Sequence, residues 1–277
     1  MVSPHIVDVL IAERAPRLAA SPGWPLIRPL LYALLDYGQA RRLADVVAPM
    51  GGSEAMDYAL ALLALRTETR GLERIPPKGR LVAVCNHPTG IADGVAVYDA
   101  LKQLRPDVCF FANADAFRVC PRFAEVLVPV EWVEEKRTRE RTRLTLQLAR
   151  EAFENERAVV IFPSGRLARR GAGGALIDEP WATSALSLAR KYDAAVVPMH
   201  LTGPHSTLFH LFDRFSRELR DITLFHELLN KRGRAFRLNV GPLIPAAALD
   251  PDPNVATLAV KSYVEHVLPA RPDEAFA

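Results

Sequence analysis

Cysteine is scarce in this 277-residue chain, which carries Cys85, Cys109 and Cys120 and no others. Three thiols at these spacings build neither a disulfide framework nor a four-ligand zinc site, and they point to a reducing compartment. Long apolar runs are missing as well. No stretch approaches the roughly eighteen uninterrupted apolar residues that a spanning helix needs, so any membrane contact is expected to be peripheral. The opening Met1-Val2-Ser3-Pro4-His5-Ile6-Val7-Asp8 has neither the basic segment nor the apolar stretch of a secretory signal, which sets the expectation of a cytoplasmic protein. The net charge is small, +3, so the chain as a whole does not call for nucleic acid. There is no internal repeat and no low-complexity segment.

What is present is ample material for a core. Hydrophobic residues make up 49% of the chain, enough for one large α/β domain or a domain with a helical appendage. Positive charge is unevenly placed, in one cluster of Lys136, Arg137, Arg139, Arg141 and Arg143 and another of Lys231, Arg232, Arg234 and Arg237. Two readings stand for each: a solvated face, or a contact for anionic lipid or for the phosphates of a substrate.

The first seventy residues read as helical. Apolar pairs at Leu26-Ile27, Leu30-Leu31 and Leu34-Leu35 repeat every four residues and fall on one face, with Trp24 and Tyr32 suited to a polar–apolar boundary and Arg28, Arg41 and Arg42 within reach of head groups. Such a face either packs on the main domain or lies at a membrane interface. A second helix is expected from Ser53, as N-cap, to Leu65, with Ala55, Tyr58, Ala59, Leu62 and Leu63 on one side. Pro76-Pro77-Lys78-Gly79 breaks the chain. Residues 1–75 are therefore read as an N-terminal helical arm and residues 76–277 as the main domain.

From residue 80 onward, strand signals at 80–85, 108–112, 158–162, 194–198 and 236–240 alternate with helical patterns at 94–104, 138–153, 181–192 and 255–268. This alternation predicts an α/β fold with a mostly parallel central sheet flanked by helices. In such sheets the functional loops follow the strand C-termini.

Asn86-His87-Pro88-Thr89-Gly90-Ile91-Ala92-Asp93-Gly94 occupies that place, after the first of these strands and before a helix. A histidine can take the proton of an attacking hydroxyl, and an aspartate on its other ring nitrogen fixes the tautomer and stabilises the imidazolium. His87 is the candidate base and Asp93 its orienter. Pro88 and Gly90 favour a tight turn that lets the two side chains meet. On its own, such a pair is weak evidence, and a structural role is the commoner reading.

These residues resemble the first motif of the glycerolipid acyltransferase superfamily, in which four residues separate the histidine and the aspartate. Here five intervene. The form Asn-His-Pro-x-Gly-x-x-Asp-Gly is similar to the branch that includes lyso-ornithine-lipid acyltransferases and hemolysin-like bacterial proteins. The resemblance runs from Asp8–Arg14 to Gly241–Pro245 through several blocks in order. A second block, Asn113 to Arg118 followed by Val128-Pro129-Val130, corresponds to one that helps line the acceptor site, and Arg118 is the residue there suited to a phosphate. The third, Ile161-Phe162-Pro163-Ser164-Gly165-Arg166, aligns with the family's Phe-Pro-Glu-Gly-Thr-Arg but departs from it. Ser164 replaces the glutamate, Leu167 stands where the arginine belongs, and Arg166 is displaced by one with Arg169 and Arg170 following. Ser164, Gly165 and Arg166 are thus candidate substrate-binding residues on an anion-binding edge. A fourth block, Val196 to Gly203, is similar to an apolar strand that borders the site.

The resemblance implies an enzyme that moves a fatty-acyl group from acyl-CoA or acyl-carrier-protein to the hydroxyl of a lyso-lipid, with no further cofactor, at the anionic inner face of the cell membrane. An acceptor phosphate would engage Arg118, Arg166 and Arg169. A lyso-ornithine lipid would give Asp115 or Glu131 a role. His200, His205 and His210 recur at five-residue intervals, a spacing that suits neither a helical nor a compact-turn metal site, so no metal is expected. Two rivals stand beside this reading: a thiol hydrolase using Cys85 beside His87, and a catalytically silent membrane-binding module.

Overall fold

The computed structural model describes residues 3–131, 138–171, 176–204 and 206–277. Nine strands are present among them: β1 (Arg66–Arg70), β2 (Leu81–Cys85), β3 (Cys109–Asn113), β4 (Leu127–Val130), β5 (Ala158–Ile161), β6 (Arg169–Arg170), β7 (Leu176–Ile177), β8 (Ala195–Thr202) and β9 (Ala235–Val240). Seven form one sheet in the order β1-β9-β8-β2-β5-β3-β4, and β6 and β7 make a separate antiparallel pair. β8, β2, β5, β3 and β4 run parallel to one another. β9 turns back antiparallel to β8, and β1 lies parallel to β9 at the edge.

Every residue of β2 and of β5 is buried, which explains why both read as unbroken apolar runs: helices cover both faces of a parallel sheet. Alternate side chains serve opposite layers. Leu81, Ala83 and Cys85 pack toward one core, and Val82 and Val84 toward the other. The first core is closed by α4 (Tyr37–Val47), α5 (Gly52–Leu63), α6 (Ile91–Leu101) and α12 (Leu224–Leu229) through Leu43, Ala55, Val95 and Leu228. The second is closed by α8 (Arg139–Glu154), α9 (Ser184–Lys191) and α13 (Pro253–Ser262) through Phe153, Leu186 and Val260. Each fully buried aliphatic or aromatic side chain in these layers contributes about 1.5–3 kcal/mol of transfer free energy.

The N-terminal helices α1 (Ile6–Arg14), α2 (Pro16–Ala19) and α3 (Trp24–Leu34) join α4 in a third apolar cluster around Val7, Ile11, Leu35, Ala40 and Ala44, to which Ile222 contributes. Arg118, on α7 (Asp115–Val119), pins α1 to the sheet side by a two-pronged ion pair to Glu13, at 2.8 and 2.9 Å, while Arg14 reaches Asp115 at 2.7 Å. Between β8 and β9 lie α10 (Thr207–Asp213), α11 (Arg217–Asp221) and α12.

The five strand signals and the four helical patterns after residue 80 fall where the periodicity put them, whereas the short helices α7, α10, α11 and α12 have no expected counterpart. Three local expectations are corrected. The first seventy residues are not helical throughout, because Arg66-Thr67-Glu68-Thr69-Arg70 forms β1. Its polar, mostly exposed sequence hides a strand that is ordered by pairing with β9, and its charges discourage further edge pairing. Ser53 does not cap α5; Gly51 holds the N-cap position and its amide is bound by Glu54 at 3.2 Å. The helix thus starts two residues earlier than expected, and its first residue, Gly52, sits where a side chain would meet the Arg122 carbonyl at 2.7 Å. The apolar stripe of α3 is also divided. Leu31 and Leu35 pack inward with Trp24 and Tyr32, whereas Leu26, Ile27, Leu30 and Leu34 face solvent.

Candidate active site

The first three motif blocks converge because their strands are neighbours. β2, β5 and β3 lie side by side and parallel, so Asn86–Gly94, Pro163–Leu167 and Ala114–Arg118 all emerge at one edge of the sheet. The parallel β8 brings Gly203 to the same edge, and a Cβ there would stand 2.7 Å from the Thr89 side chain.

Asn86 sets the course of the first loop. Its side-chain amide donates to the Leu201 carbonyl at 2.9 Å and its Oδ1 accepts the Leu201 amide at 2.7 Å, which prolongs the β2–β8 ladder past the end of the strand. The chain then turns through Pro88 and Gly90, whose φ of +94° lies in the region that glycine tolerates. Asp93 follows in the first turn of α6. Its carboxylate is fully buried and saturated: Oδ2 accepts the amides of Thr89 (2.8 Å) and Gly90 (3.0 Å) and faces His87 Nδ1 at 2.9 Å, while Oδ1 takes the Thr89 hydroxyl. A carboxylate held by two amides and a hydroxyl at a helix N-terminus is an anion fixed in place. It assigns the Nδ1–H tautomer to His87, leaving Nε2 as the proton acceptor. The His87 ring stacks on Phe162 with centroids 4.5 Å apart and keeps 16% of its side-chain surface exposed. Among the described residues its Nε2 has no hydrogen-bond partner.

One carboxylate here was not singled out from the sequence. Asp178, buried just beyond β7, accepts the His87 backbone amide with both oxygens (3.0 and 3.2 Å) and the Trp181 indole N–H at 3.0 Å. Burial raises its pKa, against the pull of those hydrogen bonds. The sequence signal is faint, an isolated Asp-Glu-Pro-Trp between a two-residue strand and a helix. The main-chain carbonyl of His87 is held as well, by the Ala168 amide at 2.8 Å. His87 is thus fixed by side chain, amide and carbonyl.

The third block folds as a turn closed by the Gly165 amide on the Phe162 carbonyl at 2.9 Å, with Gly165 at φ +61°. Ser164 Oγ donates to the Arg166 carbonyl at 3.0 Å. These bonds commit the Gly165 amide and the Ser164 hydroxyl to the turn itself. Leu167 lies against Gly90, where an added Cβ would touch its methyls at 3.2 Å, so the turn abuts the histidine loop. Arg166 is exposed, and among the described residues its guanidinium has no partner. Arg169 instead pairs with Glu179 at 2.7 Å.

The second block is otherwise engaged. Arg118 donates to Glu13 and to Asp115 (3.2 Å), and the Glu13 carboxylate raises its pKa still further, so a phosphate there would have to displace two ion pairs. Asp115 is held by Arg14 and Arg118, and Glu131 by Arg141 at 2.7 Å. Lys136, Arg137 and His205 lie outside the described residues. Among the described residues no group of three His, Cys, Asp or Glu side chains converges as metal ligands, and no helix is long and apolar enough to cross a membrane. Cys85 is fully buried in β2, and that burial pushes its thiol well above the ordinary range, which removes the thiolate a cysteine nucleophile requires.

The arrangement is a histidine fixed on a buried aspartate, with its second nitrogen open at the C-terminal edge of an α/β sheet, a geometry suited to proton transfer. Residues 66–202, a segment that contains His87, Asp93 and the Pro163–Leu167 turn, match the sequence model of the Acyltransferase family. The chain is similar to the lyso-glycine lipid O-acyltransferase of Phocaeicola vulgatus, at 26% identity over 72% of this chain and 71% of that one. It is similar also to the protein of the same name from Bacteroides thetaiotaomicron, at 24% identity over 78% and 79%. Among solved structures it resembles the 1-acyl-sn-glycerophosphate acyltransferase of Thermotoga maritima, with 16% identity, 96% of this chain covered, 98% of that one, and a TM-score of 0.47.

Proposed function

We propose that the protein transfers a fatty-acyl group from an acyl thioester to the hydroxyl of a lyso-lipid whose head group carries an amino-acid carboxylate. The observation that carries the chemistry is the His87–Asp93 pair, 2.9 Å apart around a fully buried carboxylate, with Nε2 open. The head-group class is suggested by the two lyso-glycine lipid O-acyltransferases and by the five-residue spacing inside the motif.

In this reaction His87 Nε2 takes the proton of the acceptor hydroxyl as its oxygen bonds to the thioester carbonyl carbon. Asp93 stabilises the imidazolium. The tetrahedral oxyanion collapses with cleavage of the C–S bond, and the imidazolium returns the proton to the departing thiol. With the Gly165 amide committed to its turn, the amides of Arg166 and Leu167, which among the described residues have no acceptor, and the Arg166 guanidinium are the donors beside His87 for the oxyanion or for the acceptor carboxylate. The donor is acyl-CoA or acyl-carrier-protein. The enzyme works at the anionic inner face of the cell membrane, a reading supported by the exposed Leu26, Ile27, Leu30 and Leu34 on one helix with Arg28 beside them.

The test is a transfer assay with purified protein, a labelled acyl thioester and a panel of lyso-lipids that differ in head group. Turnover with lyso-glycine or lyso-ornithine lipid above that with lysophosphatidic acid, abolished in His87→Ala, is the expected result. Full turnover in that variant would overturn the base assignment, and a preference for the phosphate acceptor would overturn the head-group class.

A further inference from the structure

The basic segment Lys231–Arg237 and the outward face of α3 have no part in the chemistry above, yet they meet. Because β9 runs antiparallel to β8, the connection between them, residues 203–234, begins and ends at the edge that carries His87. A groove of about 430 Å³ opens there, bounded by Leu34 of α3, by Pro204, Thr207, Leu208 and Leu211, and by His226, Asn230, Lys231 and Arg234. Its volume falls in the range of ligand pockets, about 300–1,000 Å³. Pro204 follows directly on Gly203, the residue packed against Thr89 of the catalytic loop.

The lining of the groove is part apolar and part cationic. Leu34 and Leu211 are 47% and 46% exposed, and Leu30, one helical turn before Leu34, is 73% exposed. Isolated exposed apolar residues are ordinary, but a cluster leading into a cavity is not. The charges of the lining are mostly spoken for. Lys231, 1% exposed, spends its three donors on Glu227 (2.8 Å), Ser206 (3.0 Å) and Asn230 (2.7 Å), and His226 is bonded to Asp36 at 3.0 Å. Arg234 is different: it is exposed, and among the described residues its guanidinium has no partner. An uncompensated guanidinium in the same lining as three leucines suits one chemical class, a single-chain amphiphile with an anionic head.

We infer that this groove is the loading site for the acceptor, which seats its carboxylate on Arg234 and its chain along Leu34, Leu208 and Leu211 before the hydroxyl moves to His87. The acceptor role rests on the function proposed above; the binding of an anionic amphiphile does not. The arm and the β8–β9 connection together then form the passage from the lipid surface to the catalytic edge.

The test uses N-lauroylglycine and dodecyl maltoside, a neutral amphiphile of the same chain length, both below their micellar concentrations, with the full-length protein in a calorimeter. N-lauroylglycine is expected to bind with one-to-one stoichiometry, tighter than the maltoside by about tenfold or more. Arg234→Gln should erase that preference, Leu211→Ser should weaken both ligands, and His87→Ala should bind as the wild type does. In the transfer assay Arg234→Gln should raise KM for the acceptor about tenfold with kcat preserved. Unchanged N-lauroylglycine affinity in Arg234→Gln overturns the groove. Arg234-dependent binding in a protein that transfers acyl groups to no lyso-lipid overturns the proposed function and leaves the groove standing, whereas transfer with an unaltered KM in Arg234→Gln does the reverse.

Discussion

The histidine loop and the turn beside it, two segments in contact at one sheet edge, are built on opposite plans. In the loop from Asn86 to Asp93 the polar side chains and the His87 main chain are bonded within the protein, with His87 Nε2 the exception. In the turn from Pro163 to Leu167 two bonds close the backbone, and among the described residues the amides of Arg166 and Leu167, with the Arg166 side chain, have no partner. Groups that move a proton gain from being fixed before the substrate arrives, because no reorganisation is then needed in the transition state. Groups that meet the substrate must be unoccupied until it comes.

If that contrast holds, damage to the loop should strike kcat and damage to the turn should strike KM. The largest effect is expected for His87→Ala, with kcat lowered by about 10⁴-fold in steady-state transfer assays, the upper end of what a general base supplies. Asp93→Asn should lose about 10²–10³-fold, since the imidazole keeps a neighbour but loses the charge that fixes its tautomer. Arg166→Gln, on the turn, should instead raise KM for the acceptor about tenfold with a smaller change in kcat. An equal fall in kcat for Arg166→Gln would erase the distinction between the two segments.

Smaller effects are read in stability. Asn86→Ala leaves the Leu201 amide and carbonyl without their partner and should cost about 2 kcal/mol in urea unfolding, with activity reduced through a displaced His87. Asp178 gives the subtlest signature. Its folded-state pKa lies above the ordinary carboxylate value, so between the two values the native protein binds more protons than the unfolded chain. Stability therefore falls as pH rises through that window. Asp178→Asn keeps an acceptor for the His87 amide and removes the titration, so its unfolding midpoint should lack that decline. A decline of the same size in the variant would assign it to another group.

Legibility followed burial and period. β2 and β5 are buried on both faces and announced themselves as apolar runs, and α6, α8 and α9 kept a helical spacing. The His87–Asp93 pair was visible because both partners lie in one short segment next to a strand. β1 was not, since its order comes from β9, nearly 170 residues away, and its own residues are polar. Asp178 was hidden for the same reason: its partner His87 is distant in sequence and is engaged through a main-chain amide, which any residue would offer. Arg118 could be placed near the site from its block, but its pairing with Glu13 depends on how α1 folds back. Contacts local in sequence can be read from it, and contacts made by topology cannot.

The reversal of β9 has a consequence for how such an enzyme can change. Both ends of the 203–234 connection open on the edge that carries His87, while the histidine loop is anchored to strands in the middle of the sheet. On the function and groove proposed above, lengthening, trimming or recharging that connection would alter what the site admits without disturbing the His87–Asp93 pair. The fold would thereby separate two kinds of inheritance: a chemistry that must be kept whole, and a preference for one lipid over another that can drift residue by residue.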